Sequence, residues 1–342
     1  MCLIIVKSFL KQQVCSPVEN SQHKMWKNFK RWKEKRTGKA DISLNTRLVW
    51  SLMLLLVAVD AIGLKAEGIT LVFRALLSNA LSISVIVAMS AIYTYFRRIS
   101  SIAEMTHMMA VILAFTASGS VCSYLVAALP RPLVDSYLAA SDHALGLDWL
   151  ATYKWVMAHQ MIYKMLYVVY SSLVPQLLLL IFILNYRGRS ARAWEMMWLF
   201  MVSCLICVVL SGIWPAVGAF GYYHVENDRA YVHVFMALHD GTLKIIGDTP
   251  IQGIIQFPSF HVALAILLTY AARGMPVLFI FYLELNTLVF LSTPSIGGHH
   301  FADLWGGIAL AVVSILVVKK VFANILVPET NRPPEAGHLK GI

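Results

Sequence analysis

Two short runs of polar residues in the C-terminal third of the chain could carry out acid–base or nucleophilic chemistry. The first run is Pro258-Ser259-Phe260-His261, which precedes an apolar stretch. Because proline is common in the first turn of a helix, Ser259 and His261 are predicted at a helix start. Free backbone N–H groups there attract anions such as phosphate. A serine and a histidine at such a place suit the binding of an anion and the transfer of a proton to it.

The second run, residues 292–307, contains Gly298, His299, His300 and Asp303. Glycine lets the backbone approach a ligand closely, so Gly298 is a predicted substrate contact. His299 and Asp303 are four residues apart and share one helix face. A carboxylate that accepts a hydrogen bond from one imidazole nitrogen makes the other nitrogen a better base or nucleophile. His300 is three residues from Asp303 and could also reach it, so spacing alone does not choose between the two histidines.

The two runs are predicted to open helices on the same side of the chain's helical bundle and therefore to meet. Together they supply a nucleophile, an orienting carboxylate and a second proton carrier, which suits phosphoryl transfer without a metal or another cofactor. Two alternatives come from the same polar groups. Histidine and carboxylate also bind zinc, as in a metal-dependent hydrolase. Asp60 and Glu284 lie in apolar stretches and could form the proton relay of a transporter.

The composition indicates which elements position these residues. The chain has 342 residues, of which 58% are hydrophobic and 13% charged. Soluble domains carry about 25% charged residues, so this composition argues against a soluble enzyme and against a disordered chain. We therefore expect an all-α, polytopic transmembrane bundle of about eight spans. Their predicted positions are 46–64, 71–96, 107–129, 163–184, 195–214, 258–273, 276–293 and 301–321.

The charge distribution predicts the orientation of this bundle. The net charge is +10, and residues 1–47 hold eleven Lys and Arg against three acids, which is +8. Beside a hydrophobic bundle, this tail is predicted to face anionic inner-leaflet lipids rather than nucleic acid. With the N-terminus inside, 21 of the 28 Lys and Arg residues fall on the cytoplasmic side. Both termini are therefore predicted to be cytoplasmic, and the two polar runs extracytoplasmic.

The predicted organisation has four parts: a basic tail 1–45, accessory membrane helices 46–124, a catalytic membrane domain 125–321 and a C-terminal tail 322–342. The first apolar stretch, 2–6, is too short for a secretory signal peptide, so none is expected. Cys204 and Cys207 form a C-x-x-C inside an apolar run, which indicates packing residues rather than a redox pair. The sequence leaves the oligomeric state open.

The combined spacing of the two runs resembles the phosphatidic acid phosphatase type 2 superfamily. Residues 258–261 match its P-S-x-H motif, and Ser292, His299 and Asp303 match its S-x6-H-x3-D motif. The arginine that usually follows the serine is replaced by Thr293. An earlier K-x6-R-P motif is retained only as Arg131 and its following proline, with tyrosine in the lysine position. The Ser-Thr pair and the run 142–149 resemble the branch that contains inositol phosphorylceramide synthases.

The resemblance implies a role for each matched residue. His299 would attack phosphorus, Asp303 would orient it, His261 would protonate the leaving group, and Ser259 would bind phosphate oxygens. The missing arginine leaves a deficit of positive charge, which Lys244, and after it Arg131, is predicted to fill; His224, His233 and His239 receive no role. The implied activity is that of a lipid phosphatase or phosphotransferase at the outer leaflet, with a membrane lipid as substrate.

Overall fold

The structure is a computed structural model that describes residues 39–97, 99–225, 230–247 and 253–321. By backbone contacts the chain divides into residues 1–47 and 48–342. Of the first unit only 39–47 are described, and they form the start of the first helix. The predicted C-terminal tail, and the N-terminal tail up to residue 38, lie outside the described residues.

The described chain is built almost entirely from helices, which follows from its long apolar runs. The helices are α1 Lys39–Glu67, α2 Phe73–Ala91 continued by a π-helical turn Ile92–Phe96, α3 Ser100–Ala127, α4 Asp135–Ala144, α5 Trp149–Ala158, α6 Gln160–Ser171, α7 Leu173–Tyr186, α8 Ser190–Ile213, α9 Ala219–Tyr222, α10 Ala230–His239, α11 Phe260–Ala271, α12 Pro276–Gly297 and α13 Phe301–Val321. Two strands of two residues each, β1 Thr70–Leu71 and β2 Ile245–Ile246, pair in parallel.

Six of the described helices are long and apolar enough to cross a membrane, which indicates an integral membrane protein. They lie at Leu44–Glu67, Phe73–Phe96, Ser101–Ala127, Ser190–Ile213, Pro276–Gly297 and Phe301–Val321. Helices α6 and α7 meet at a 45° bend and make a seventh candidate when counted as one broken span. The predicted membrane helical bundle is therefore confirmed, whereas the sixth of the eight predicted spans, 258–273, contains only the twelve-residue helix α11.

Helix α11 is short because it begins at a recessed depth in the bundle. The carbonyl of Pro258, just before α11, accepts a hydrogen bond from Cys207 of α8. Cys207 lies six residues before the end of α8. At the other end of α11, Arg273 forms a 2.7 Å ion pair with Glu195, in the first turns of α8. Six residues of helix correspond to about 9 Å, so the polar run that opens α11 lies about that far below the end of α8.

The core of the bundle is apolar and surrounds α8. The buried residues of α8, which include Met197, Phe200 and Cys207, pack against α3, α7 and α11. One polar contact joins α1 to α3: Asp60 is 7% exposed and accepts hydrogen bonds from Ser118 at 2.5 Å and from Cys122 at 2.9 Å. Such bonds satisfy a carboxyl that would otherwise be costly to bury.

Cationic side chains gather at the end of the bundle opposite the recessed start of α11. The first turn of α8 contributes Arg192, which donates to the carbonyl of Arg273 after α11. Lys319, in the last turn of α13, lies 5.4 Å above the ring of Tyr270. The bundle therefore has one end rich in positive charge and one end that carries the polar runs singled out in the sequence.

Candidate active site

Helix α11 starts on Ser259, whose side chain caps the helix. The Ser259 hydroxyl accepts a 3.5 Å hydrogen bond from the N–H of Val262, and the residue is fully buried. Its own N–H donates to the carbonyl of Asp303 at 3.2 Å, which joins the start of α11 to the start of α13. Gly307 makes this contact possible, since a Cβ there would lie 2.5 Å from the carbonyl oxygen of Ser259. The predicted phosphate contact Ser259 thus serves as a helix cap in this state.

A tight turn between α12 and α13 presents His299. Gly298 ends α12 in the left-handed region at φ +72°, and a Cβ there would lie 2.2 Å from the ring of Phe220. Its carbonyl accepts a 2.7 Å hydrogen bond from Ala219. Gly298, a predicted substrate contact, is therefore engaged with the protein, and its neighbour Gly297 lines the cavity described below.

His299 and Asp303 face each other as their spacing predicts. His299 Nδ1 lies 3.4 Å from Asp303 Oδ2, with side chains 2% and 0% exposed. The same carboxylate oxygen accepts the backbone N–H of His300 at 2.8 Å, which fixes the carboxylate. The 3.4 Å separation is longer than a good hydrogen bond, and catalytic bonds of this kind shorten when substrate binds. With Nδ1 turned to Asp303, Nε2 is left as the reactive nitrogen of His299.

His261 is held opposite His299 by Tyr170 of α6, a residue that the sequence analysis missed. The Tyr170 hydroxyl lies 3.2 Å from His261 Nδ1, and the two rings stack with centroids 4.3 Å apart. The imidazoles of His261 and His299 have centroids 6.2 Å apart and an interplanar angle of 63°. The two imidazoles are therefore close enough to act on one small group held at the cavity that both of them line.

Replacing Tyr170 by phenylalanine should keep the stacked ring and remove the hydroxyl from His261 Nδ1. We expect kcat to fall about 2- to 10-fold, the effect of one net hydrogen bond, with a shifted limb in the pH–rate profile. The matched control is Tyr167→Phe, three residues away on the same helix and 51% exposed. Equal profiles for the two variants would contradict the orienting role of Tyr170.

His300 lies behind the catalytic pair, between two buried carboxylates. Its Nε2 is 3.4 Å from Asp135 Oδ1 and its Nδ1 is 3.7 Å from Asp142 Oδ2. Asp142 also accepts the backbone N–H groups of Phe301 and Ala302, and thereby caps α13. Asp135 accepts those of residues 217 and 218. The sequence spacing did not decide whether His299 or His300 is the partner of Asp303. In the structure the side chain of His299 faces Asp303, and the side chain of His300 faces Asp135 and Asp142.

The surroundings of His300 favour its charged form. Burial lowers its pKa, but the hydrogen-bonding carboxylates Asp135 and Asp142, together with the charge of Asp303, outweigh this and raise the pKa to about 9. His300 is therefore a cation at neutral pH that compensates buried negative charge. Two acids seven residues apart on α4 share a face of that helix, and this spacing is a signal in the sequence that Asp135 and Asp142 act together.

This shift predicts a pH dependence of stability. Because the folded-state pKa of His300 lies above its ordinary value of 6.5, its stabilising contribution is complete below about pH 6.5 and is lost as pH rises through 9. A shift of this size corresponds to about 3 kcal/mol. We expect the melting temperature of the purified protein to fall between pH 7 and 10, and this fall to flatten in His300→Gln. An equally steep fall in the variant would assign the effect to other groups.

A cavity of about 450 Å³ opens onto His261 and His299. His261, His299 and Gly297 form one side of it, and residues of α3 and α8 form much of the rest. Neither Lys244 nor Arg131 is among its lining residues. The Lys244 ammonium donates to the carbonyl of Glu67 at 2.9 Å, and Arg131 is exposed. The structure thus brings together His261, His299 and Asp303, with Ser259 behind them, but not the two predicted cations.

Histidine, cysteine and carboxylate side chains are the candidate metal ligands of the chain. Among the residues that the structure describes, no group of three or more His, Cys, Asp or Glu side chains is placed to hold a metal ion. His233 and His239 lie on α10, and His224 follows α9 with φ +49°. Cys204 and Cys207 are free and line the cavity from α8.

These features define a class of protein. It is a helical membrane protein in which a histidine next to an aspartate faces a second histidine inside the bundle. Comparison with known proteins then gives the family. The family described as the PAP2 superfamily matches residues 136–317, more than half of the chain, and the chain belongs to it. No curated protein and no solved structure matches the chain. The predicted superfamily is confirmed, and membership supports phosphoryl transfer as the activity. The branch prediction stays a prediction.

Proposed function

We propose that this protein transfers the phosphoryl-containing head group of a membrane lipid through a phosphohistidine intermediate on His299. The observation that carries the proposal is the buried pair His299–Asp303 facing His261 across 6.2 Å, at a cavity inside an apolar helical bundle. The acceptor is water, as in a phosphatase, or an alcohol, as in a transferase. Phosphoinositol is the head group that the sequence resemblance favours.

In the first step, His299 Nε2 attacks phosphorus while the bond from phosphorus to the lipid alcohol breaks. Burial and the neighbouring His299 lower the pKa of His261, so its protonated form depends on the negative charge of the bound phosphate. Protonated in this way, His261 donates its proton to the departing alkoxide, and the lipid leaves as a neutral alcohol. Asp303 holds Nδ1 of His299 and stabilises the imidazolium character that develops there. In the second step, His261 takes a proton from the acceptor, whose oxygen attacks phosphorus as the phosphorus–nitrogen bond breaks. His299 and His261 then regain their starting states.

The negative charge that develops on the phosphoryl oxygens calls for positive partners. Among the described residues, no Lys or Arg lines the cavity. The roles of Lys244 and Arg131 as phosphate-binding cations therefore stay predictions. Kinetics of Lys244→Met test the first of them, because loss of a charge contact to phosphate would lower kcat/KM by roughly 30- to 1000-fold.

Product analysis of the purified protein tests the proposed function. Phosphatidic acid and phosphatidylinositol would be supplied separately in mixed micelles, with and without added inositol and with and without excess chelator. Release of diacylglycerol from either lipid, unaffected by chelator, supports the proposal. Activity that chelator removes would favour the metal-dependent hydrolase. No turnover of any phosphorylated lipid by the detergent-solubilised protein would contradict the proposal and leave the transporter as the alternative.

We also propose that the active site faces the extracytoplasmic side, with both termini in the cytoplasm. The grouping of Arg192, Arg273 and Lys319 at the end opposite the site supports this orientation, because positive charge is retained inside. A cysteine at exposed Thr242 should react with an impermeant thiol reagent in intact cells. A cysteine at exposed Arg187, between α7 and α8, should react only after lysis. The reverse pattern would invert the topology.

A further inference from the structure

The cavity has a second wall, built by a helix that the family match does not include. The match begins at residue 136, whereas α3 ends at Ala127. This helix nevertheless places Thr116, Ser120 and Ser123 in the cavity lining. Their spacings of four and three residues put them on one face of the helix. The hydroxyl stripe therefore shares the cavity with His261 and His299 while lying outside the family's own segment.

The hydroxyl groups of this stripe are arranged to accept hydrogen bonds from a ligand. Ser120 donates its proton to the carbonyl of Thr116 at 2.7 Å, and Ser123 donates to the carbonyl of Ser120 at 2.7 Å. A serine hydroxyl has one proton and two lone pairs, so both oxygens keep acceptor capacity after these bonds.

Gln256 adds a buried acceptor to the same cavity. The residue is 4% exposed, and its Oε1 has no hydrogen-bond partner within the described parts of the chain. Gly218 holds the side chain closely, since a Cβ there would lie 2.8 Å from Gln256 Cγ. An unpaired buried acceptor costs about 1–3 kcal/mol, which a donor on a bound ligand would recover.

These acceptors select the chemistry of the ligand. An ionised phosphate group only accepts hydrogen bonds and cannot pair with Gln256 Oε1 or with the Ser120 and Ser123 oxygens, whose protons are already donated, whereas an alcohol O–H can pair with them. Apolar side chains, Phe115, Phe200 and Val208, line the same cavity and suit a hydrocarbon chain. A ligand that matches both the hydrogen-bond acceptors and the apolar lining is an alcohol that carries a hydrocarbon chain.

We propose that Gln256 and the hydroxyl stripe of α3 (Thr116, Ser120 and Ser123) form the binding site for the hydroxyl end of a lipid alcohol, the group that leaves in the first step and attacks in the second. The inference rests on the proposed phosphoryl transfer and names its lipid partner. One wall serves both steps because departure and attack each occur in line with His299, on the side where His261 moves the proton. A hydroxyl has a single proton, so the alcohol O–H donates to the wall while the alcohol is bound and turns to His261 when the proton is transferred. The first step breaks the bond between phosphorus and the alcohol oxygen, and the second forms it again.

Direct binding tests this assignment apart from catalysis. The purified full-length protein in detergent–lipid micelles would be photolabelled with a diazirine-bearing diacylglycerol, and the labelled peptides mapped by mass spectrometry. We expect labelling of α3 that unlabelled diacylglycerol competes away and that inositol and inorganic phosphate leave unchanged. Gln256→Met and the double variant Ser120→Ala, Ser123→Ala should each reduce labelling at least about 5-fold, the loss of one to two hydrogen bonds.

Two matched controls keep the test specific. Gln176→Met removes an equally buried glutamine on α7, and Ser314→Ala removes a buried hydroxyl on α13; neither residue lines the cavity. Both should label as the wild type does. Labelling by diacylglycerol that is unchanged in Gln256→Met and in the serine variant, or that phosphate or inositol displaces, would overturn the inference.

Catalysis gives an independent second readout. Exchange of short-chain diacylglycerol into a long-chain phospholipid reports attack by a lipid alcohol, and phosphate or head-group release reports attack by water. In Gln256→Met we expect exchange to fall more than water attack. Absence of all turnover in the wild type, with photolabelling intact, would count against the proposed function and not against the lipid-alcohol site.

Discussion

His299→Ala is expected to abolish turnover, with a loss on the order of 10³- to 10⁶-fold, because it removes the proposed nucleophile of the covalent step. The comparison variant is His300→Gln, which keeps a hydrogen-bonding side chain next to Asp135 and Asp142. His300 turns away from Asp303 towards those two carboxylates, so its replacement should lower stability while each folded molecule retains far more activity.

Trapping of the phosphoenzyme separates the two histidines directly. A short incubation with ³²P-labelled phosphatidic acid should leave acid-labile, base-stable label on the wild type and on His300→Gln, and none on His299→Ala. Label that persists in His299→Ala and disappears in His300→Gln would show that the nucleophile had been assigned to the wrong member of the pair.

Asp142→Ala should have the largest effect on stability. The carboxylate is fully buried, caps the start of α13 and faces the charged His300. Removing one partner of a buried charge pair costs about 3–5 kcal/mol, which is a large part of the stability of most proteins. We expect the melting temperature to fall by roughly 6–20 °C.

The control for this prediction is another aspartate that caps a helix. Asp148 accepts the N–H of Ala151 at the start of α5 and is exposed, so Asp148→Ala should cost about 1 kcal/mol. Melting curves of the two variants in the same detergent give the comparison. A shift for Asp142→Ala no larger than that for Asp148→Ala would show that the contact between Asp142, α13 and His300 is not a main support of the site.

The sequence allowed the arrangement of His299 and Asp303 to be predicted because its geometry is local. His299 and Asp303 lie one helical turn apart, and His261 follows a proline and a capping serine, so the position of each follows from nearby residues. Tyr170 could not be found in this way. It is an aromatic residue within an apolar helix, 91 residues before its partner His261, and only the packing of α6 brings the two together.

The bundle was predictable in outline for a similar reason. Apolar length predicts membrane helices, and six such helices and a broken pair are present in the described chain. Hydropathy does not indicate the depth at which a helix begins, so α11 was counted as an ordinary span although it has twelve residues. The predicted domain boundary at 124 falls inside α3, which ends at Ala127.

The recessed start of α11 affects how a lipid reaches the catalytic histidines. A phosphodiester held at the level of the bilayer surface would have to sink, or the lipid would have to be drawn outwards, before a nucleophile fixed in the membrane could touch it. Raising a lipid by about 9 Å would expose several methylene groups per chain to water, at about 0.8 kcal/mol each. Because the start of α11, which carries His261, lies about 9 Å below the end of α8, the proposed lipid substrate would bring its head group down into the protein while its acyl chains stay in hydrocarbon. The cost of extracting the proposed lipid from the bilayer would thereby be replaced by the cost of desolvating one phosphate.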